Sequence, residues 1–146
     1  MAQIYPPVGF HFQVKFDFTS DVLDVRFQSV GGLSVEFETE SFKEGGENRF
    51  EHVLPLRTKY PDLVLKRGFI PAGSMLSKWC EKTFQDQEFL LANATITLLN
   101  ELHDPIKTWN VVGIYPKKWS VSEFNAENNS LVIETLELRY KYFTML

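Results

Sequence analysis

The sequence has one cysteine, three histidines, no long apolar run and no strong net charge. Its single cysteine, Cys80, cannot form an intrachain disulfide, which fits a chain that folds in a reducing compartment. No apolar run approaches the roughly 20 residues that a membrane-spanning helix needs. The first nine residues lack the basic and apolar regions of a secretory signal. We therefore predict no membrane span, and synthesis and assembly in the bacterial cytoplasm, with any later export by a different route.

Residues that carry chemistry are equally sparse. The histidines His11, His52 and His103 are scattered along the chain, and one cysteine gives no zinc-ligand spacing. No Gly-x-Ser-x-Gly nucleophile and no phosphate-binding glycine loop occurs. The formal charge of −4, from 15 basic and 19 acidic residues, argues against general binding to nucleic acid. The sequence predicts no catalytic residue, no metal and no cofactor, and a protein that is not an enzyme.

Aromatic residues, in contrast, are abundant at 14% of the chain, and they favour pleated and buried surfaces. Between Phe10 and Phe18 every even position is apolar and every odd position is polar, the period-2 pattern of a half-buried strand. The apolar side chains should face a core. The polar side chains of this strand should face water; they are His11, Gln13, Lys15 and Asp17.

Further extended segments follow, and two positions predict irregular strands. Gly31-Gly32 lies at a phase break between about residues 24 and 42, which indicates a bulge or a sharp bend. The final strand, predicted from Leu131 to Phe143, changes phase near Thr135, which suggests a second bulge. A return strand before Pro55 should end there. Two separate strands are expected at residues 106–112 and 118–124.

One segment has the period of a helix. Between Gly73 and Phe84 the apolar positions follow a helical face that includes Cys80, and Ser74 is a suitable N-cap. The sequence therefore predicts one mainly β domain over residues 1–146, a β-sandwich or barrel of about seven or eight strands with one flanking α-helix.

Charge is unevenly distributed between two neighbouring segments. Residues 36–51 contain six glutamates against Lys43 and Arg49, a local charge of −4, and residues 57–67 contain four basic residues against Asp62, a local charge of +3. Glu36, Glu38 and Glu40 should share one face of a strand. The two segments are either oppositely charged faces that stay hydrated or complementary surfaces through which copies of the chain meet head to tail.

Several blocks of sequence together resemble the phage tail tube family, and in particular the inner tube proteins of extracellular contractile injection systems. They occur in the expected order over nearly the whole chain: residues 5–12 (YPPVGFHF), 26–33 (RFQSVGGL), 44–50 (EGGENRF), 63–68 (LVLKRG), 109–110 (WN), 115–120 (YPKKWS) and 134–138 (ETLEL).

This resemblance implies a structural subunit that forms hexameric rings, which stack into a tube inside a contractile sheath. Its implied partners are further copies of itself, a sheath protein, baseplate or hub and tube-initiator proteins, and cargo in the lumen; the particle would end as a tail or a released injection particle. By analogy, subunit and ring contacts are predicted at Glu44, Gly45, Gly46, Glu47, Asn48, Arg49, Arg57, Lys59, Lys66 and Arg67. The polar residues of the first strand are candidates for the lumen.

Two alternatives remain open from the sequence. A baseplate-proximal tube initiator would share the fold and differ in what it contacts above and below. A small β-barrel that binds a ligand in its interior belongs to another class, and the many aromatic residues could line its pocket. Packing of a core explains those aromatic residues equally well.

Overall fold

Strands dominate the computed structural model, which describes residues 11–19, 26–42, 52–70, 73–123 and 132–146. Within these ranges it contains ten strands and one helix, in this order: β1 (His11–Phe16), β2 (Arg26–Phe27), β3 (Ser29–Gly31), β4 (Glu36–Phe42), β5 (His52–Lys59), β6 (Leu63–Gly68), α1 (Met75–Asp86), β7 (Ala92–Leu99), β8 (Pro105–Val121), β9 (Ile133–Arg139) and β10 (Tyr142–Met145). The predicted mainly β fold with one helix is confirmed.

The alternating pattern at the start of the chain forms strand β1 as predicted. Val14 and Phe16 are buried, Phe12 and Phe18 are half-buried, and Lys15 is exposed. Phe10 lies outside the described residues. Strand β1 pairs with β2 on one side and with β7 on the other, both antiparallel.

The main sheet closes on itself at Gln28. Its strand order is β2-β1-β7-β8-β9-β6-β3, so β2 and β3 are at opposite ends of the sheet. Gln28 alone separates these two strands in the sequence, and its N–H donates to the Lys66 carbonyl oxygen at 2.7 Å. One short stretch of chain therefore pairs with β1 and then with β6. This closes a barrel and leaves the sheet without free edges at these two strands.

A second bend lies at Gly113, within the long strand β8. Gly113 has a φ of +70°, which a residue with a side chain rarely adopts, and a Cβ there would lie 2.8 Å from the aliphatic chain of Lys141. Up to Ile114, just after this bend, β8 pairs with β7, before the bend it also pairs with β10, and from Tyr115 onwards it pairs with β9. The two strands predicted at 106–112 and 118–124 are thus one bent strand.

The helix begins where the sequence predicts. The Ser74 side chain accepts a hydrogen bond from the Ser77 N–H at 3.3 Å, which caps the first turn. Leu76, Trp79 and Cys80 are buried against the barrel, and the ring of Trp79 packs on Phe18 at 5.1 Å between centroids. Cys80, on the predicted apolar face of the helix, is a free thiol and is buried.

Three predictions about strands are wrong in detail. Gly32, with a φ of +95°, follows β3 at the expected bend, but β9 has no bulge near Thr135, and the irregularity in its pairing with β8 lies on β8, between Pro116 and Lys118. Strand β9 pairs regularly with β6, and the final strand instead divides between β9 and β10. Pro55 does not end a strand, because it lies within β5 opposite Thr39 in a two-stranded hairpin. A hairpin has free edges, where the missing N–H of proline is tolerated.

The apparent change of phase near Thr135 has a physical cause. Along β9 the buried positions are Glu134, Leu136 and Leu138, whereas Ile133 is only half-buried. A buried glutamate breaks the expected apolar pattern, so the sequence suggests a change of strand phase although the backbone of β9 is regular. Glu134 is tolerated inside because Arg67 pairs with it.

Candidate assembly surfaces

The hairpin of β4 and β5 is the most exposed regular structure of the described chain. Every described side chain from Glu36 to Ser41 and from Val53 to Lys59 is exposed. Four large apolar side chains are at least half exposed: Phe37 60%, Val53 59%, Leu54 50% and Leu56 51%. A two-stranded hairpin is at best marginally stable alone in water. This hairpin therefore presents apolar side chains on both of its faces, Phe37 and Val53 on one and Leu54 on the other, that are suited to contact with other molecules.

The hairpin also changes the interpretation of the two charged segments. Glu36 lies directly opposite Lys59 in the register, and β5 also carries Arg57. The acidic strand and the start of the basic segment are therefore neighbours in one hairpin, not two separate faces. Glu36, Glu38 and Glu40 alternate along β4 and share a face, on which Lys59 lies opposite Glu36 and Leu54 opposite Glu40; between these two pairs the register shifts, because β5 has one extra residue there.

Ionic and aromatic contacts fix the root of the hairpin to the barrel. The Asp62 carboxylate accepts hydrogen bonds from Lys117 Nζ at 2.7 Å and from Arg139 Nη1 at 3.2 Å, and Arg139 Nη1 also donates to the Tyr60 carbonyl oxygen at 2.8 Å. The hydrogen bond from Lys117 is the main cause that lowers the pKa of the Asp62 carboxyl. Tyr60 packs edge-on against Phe143 at 5.2 Å. The direction in which the hairpin leaves the barrel is thus set by several contacts.

Arg67 requires a correction, because it was grouped with exposed contact residues. Its side chain is only 4% exposed, and its Nε donates to Glu134 Oε2 at 2.8 Å. Glu134 Oε1 accepts a second hydrogen bond from Trp119 Nε1 at 2.6 Å, and Arg67 Nη2 donates to Ser74 Oγ at 3.3 Å. Arg67 therefore links the barrel to the first turn of α1 inside the subunit. Arg57, Lys59 and Lys66 are exposed.

A second surface is the polar outer face of the barrel. Lys15, Thr95, Asn110 and Thr144 lie directly opposite one another across β1, β7, β8 and β10, and they form a continuous row. Gln13, Thr97 and Thr108 form the adjacent row. Thr95 Oγ1 donates to Asn110 Oδ1 at 3.2 Å. Neutral hydroxyl and amide groups dominate both rows.

An open cleft of about 1080 Å³ lies along this polar face. Its lining includes His11 and His103, whose rings stack with centroids 4.9 Å apart, together with Gln13 and Thr97. Of the predicted lumen residues, His11, Gln13 and Lys15 therefore lie on β1 at this face. Asp17 lies instead in the turn after β1, beside α1. The residues on β7, β8 and β10 were missed, although polar residues at every second position of β7 were a usable signal.

The interior of the barrel is filled by its own side chains. Val14, Ile96, Ile114, Leu65 and Leu138 are fully buried in one core. This packing gives no support to the alternative of a barrel that binds a ligand in its interior. In the part of the chain that the structure describes, no group of three metal-ligating side chains occurs. No helix among those residues is long and apolar enough to cross a membrane.

Six of the predicted contact residues, Glu44 to Arg49, lie outside the described residues, and their role stays a prediction. They join β4 to β5 in the sequence. The two strands that these residues connect carry exposed apolar side chains.

The described chain thus combines a β-barrel, one flanking helix and a hairpin with exposed apolar side chains. The chain belongs to the family of the T4-like virus tail tube protein gp19, whose sequence profile matches residues 8–144. The resemblance seen in the sequence is therefore confirmed. Proteins of this family are structural components of a tail tube.

Solved structures agree with this assignment. A chain from the baseplate of the anti-feeding prophage is 32% identical, with a TM-score of 0.84, and the match covers 100% of this chain and 97% of that one. A chain of the sheath–tube complex of an extracellular contractile injection system, PVC, in the extended state is 23% identical over 98% and 93% of the two chains, with a TM-score of 0.80. Hcp1 from Salmonella typhimurium shares the fold at 14% identity and a TM-score of 0.60, over 94% and 86% of the two chains. No curated protein sequence matches the chain.

Proposed function

We propose that copies of this chain form six-membered rings that stack into the inner tube of a contractile injection system. The family is that of a tail tube protein, and the relatives of known structure come from a baseplate and from a sheath–tube complex. The role is structural and requires no catalysis. The proposed partners are the sheath, the baseplate or hub and the tube initiator, in a particle that is assembled in the cytoplasm and then released.

The single observation that carries the proposal is the exposed hairpin. Fully burying a side chain such as Phe37 or Leu54 stabilises by roughly 1.5–3 kcal/mol relative to leaving it in water. Such side chains on both faces of one hairpin make docking onto other subunits favourable. The hairpin and the surface that receives it are different patches, so each contact leaves both patches available for further copies. Such contacts close into rings or continue as filaments.

The polar face of the barrel supports the assignment of one surface to the lumen of the tube. A tube needs a wall that does not retain what passes through it, and hydroxyl and amide groups offer hydrogen bonds without strong charge. The rows that include Thr95, Thr97 and Asn110 meet that need across four strands. We assign this face to the lumen, where cargo would pass.

Electron microscopy of the purified protein tests the proposal, together with the mass of the assembled species. The wild type is expected to form sixfold rings or stacked tubes. The double variant Leu54→Ser, Leu56→Ser should stay folded by circular dichroism but lose assembly, because it removes two of the four exposed apolar side chains. Leu146→Ser is a matched control, since Leu146 is 74% exposed but lies at the chain end. Normal tubes from the double variant would refute the role of the hairpin.

A baseplate-proximal tube protein is a second candidate, because the 32% identical relative comes from a baseplate structure. The two functions differ in how assembly begins. A plain tube subunit should extend its own stacks at high concentration. A baseplate-proximal subunit should stop at single rings and add further rings only when it is mixed with a separate tube protein.

A further inference from the structure

A groove beside α1 is lined by both apolar and basic side chains. It has a volume of about 240 Å³, with the Trp79 and Phe18 rings together with Met75, Leu90 and Leu91 as its apolar lining. Met75, Leu90 and Leu91 are each about half exposed. Trp79 Nε1 donates to the Leu90 carbonyl oxygen at 2.7 Å, which holds the wall of the groove against the helix. The site is therefore formed within the subunit before any partner arrives.

Two lysines of α1 give the groove its charge. Lys78 and Lys82 both line it, and four residues of helix place them about 6 Å apart along the helix axis. Among the described residues of the lining Asp17 is the one acidic side chain, so two positive charges there stand against one negative charge. An occupant with apolar side chains between carboxylates would suit this surface.

We propose that this groove receives the β4–β5 hairpin of a second copy of the chain. One face of that hairpin carries Glu36, Glu38 and Glu40, and neighbouring members of this set are roughly 7 Å apart, the repeat of alternate strand residues. This spacing is close to that of Lys78 and Lys82. Leu54 lies on the same face as Glu40 and supplies an apolar side chain for the groove.

The proposal rests on the proposed tube function and names the surface that the hairpin contacts. Both surfaces occur on every copy, and they differ from each other, so the contact propagates from subunit to subunit. The described side chains of the hairpin, at residues 36–41 and 53–59, are all exposed. Docking of this face in the groove would bury Leu54 and bring Glu38 and Glu40 against Lys78 and Lys82 at the same time, while Glu36 already faces Lys59 across the hairpin.

Charge exchange between two variants tests this contact. Lys78→Glu with Lys82→Glu should reduce tube formation at least tenfold, and Glu38→Lys with Glu40→Lys should do the same. A mixture of the two variant proteins should restore assembly, because the reversed hairpin of one fits the reversed groove of the other. Lys118→Glu is the matched control, since its side chain is 67% exposed on β8 and it should assemble normally.

Three results would overturn the proposal while the tube function stands. The first is normal tubes from either variant, and the second is a mixture that assembles no better than either variant alone. The third is variant tubes of normal length that no longer bind the sheath protein. The last would assign the groove to the sheath. A wild type that forms no tubes would refute the tube function instead. In that case the double variant Leu54→Cys, Leu91→Cys still tests the contact. At high protein concentration under oxidising conditions, a disulfide between the introduced cysteine at position 54 of one copy and that at position 91 of the next is expected to give a ladder of linked oligomers. Its absence would refute the docking of the hairpin.

Discussion

The backbone of Gly32 lies directly against the backbone carbonyl oxygen of Asp62, with no room for a Cβ between them. Gly32 is where the chain leaves β3 towards the hairpin, and Asp62 is where the chain returns from the hairpin to β6. Its φ of +95° places Gly32 in a conformation that residues with side chains rarely adopt. The close approach of these two residues defines the root of the hairpin.

We expect Gly32→Ala to destabilise the subunit by about 1–3 kcal/mol through the strained backbone conformation alone. Displacement of the Asp62 carbonyl adds to this cost. Gly31→Ala is the matched control, because nothing lies within 4 Å of a Cβ at Gly31. Urea denaturation measures both variants, and an equal midpoint for the two would show that the contact at Gly32 is not constraining.

Removal of one partner from the buried pair of Arg67 and Glu134 should be strongly destabilising. Arg67→Met leaves the buried Glu134 carboxylate with its hydrogen bond from Trp119 Nε1 but without its cationic partner, and we expect a loss of about 3–5 kcal/mol. The double variant Arg67→Met, Glu134→Leu should lose less than the two single changes added together. Denaturant titration of the four proteins measures the coupling.

The exposed pair of Lys118 and Glu137 serves as the control for this cycle. Its nitrogen and oxygen are 4.0 Å apart, and Lys118→Met should cost less than about 1 kcal/mol. Additive effects at Arg67 and Glu134 would contradict the interpretation of the pair as one buried unit.

Much of the fold could be predicted because its signals are local. The alternation in β1 and the cap at Ser74 depend on a few neighbouring residues. The bulge expected near Thr135 was wrong because the reason that Glu134 is buried lies 67 residues away, at Arg67. Closure of the barrel at Gln28 is likewise a relation between distant strands, which no local pattern contains.

The candidate surfaces likewise could be predicted only where the signal is local in the sequence. Polar residues on β1 indicated a hydrated face, but only the register shows that Lys15 continues into Thr95 and Asn110. A count of charges along the sequence places Arg67 with Arg57 and Lys59, because such a count does not distinguish a buried guanidinium from an exposed one. The pairing of Glu36 with Lys59 in one hairpin also required the structure.

Chemical labelling should test whether the polar face lines the lumen. Cys80 is buried, so Lys15→Cys introduces one accessible thiol on that face. We expect the unassembled protein to react with both a small maleimide and a maleimide on a large polymer. In tubes the small reagent should still react and the large one should not, because it cannot enter the tube. Reaction of tubes with the large reagent would place this face on the outside, and protection from both would place it in a subunit contact.

Alkaline pH should weaken the subunit through Tyr140. Burial raises the pKa of the Tyr140 hydroxyl to about 12 from the ordinary value of 10.0. A raised pKa means that the folded state favours the protonated phenol, so this contribution to stability is fully present below pH 10 and is lost as the pH rises towards 12. The free energy of unfolding of the wild type should therefore fall more steeply over this range than that of Tyr140→Phe. Urea titrations at a series of pH values measure both curves, with Tyr142→Phe as a control at an exposed tyrosine. Parallel curves for the wild type and Tyr140→Phe would contradict the role of Tyr140, whose hydroxyl reaches the Gly32 carbonyl oxygen at 3.4 Å.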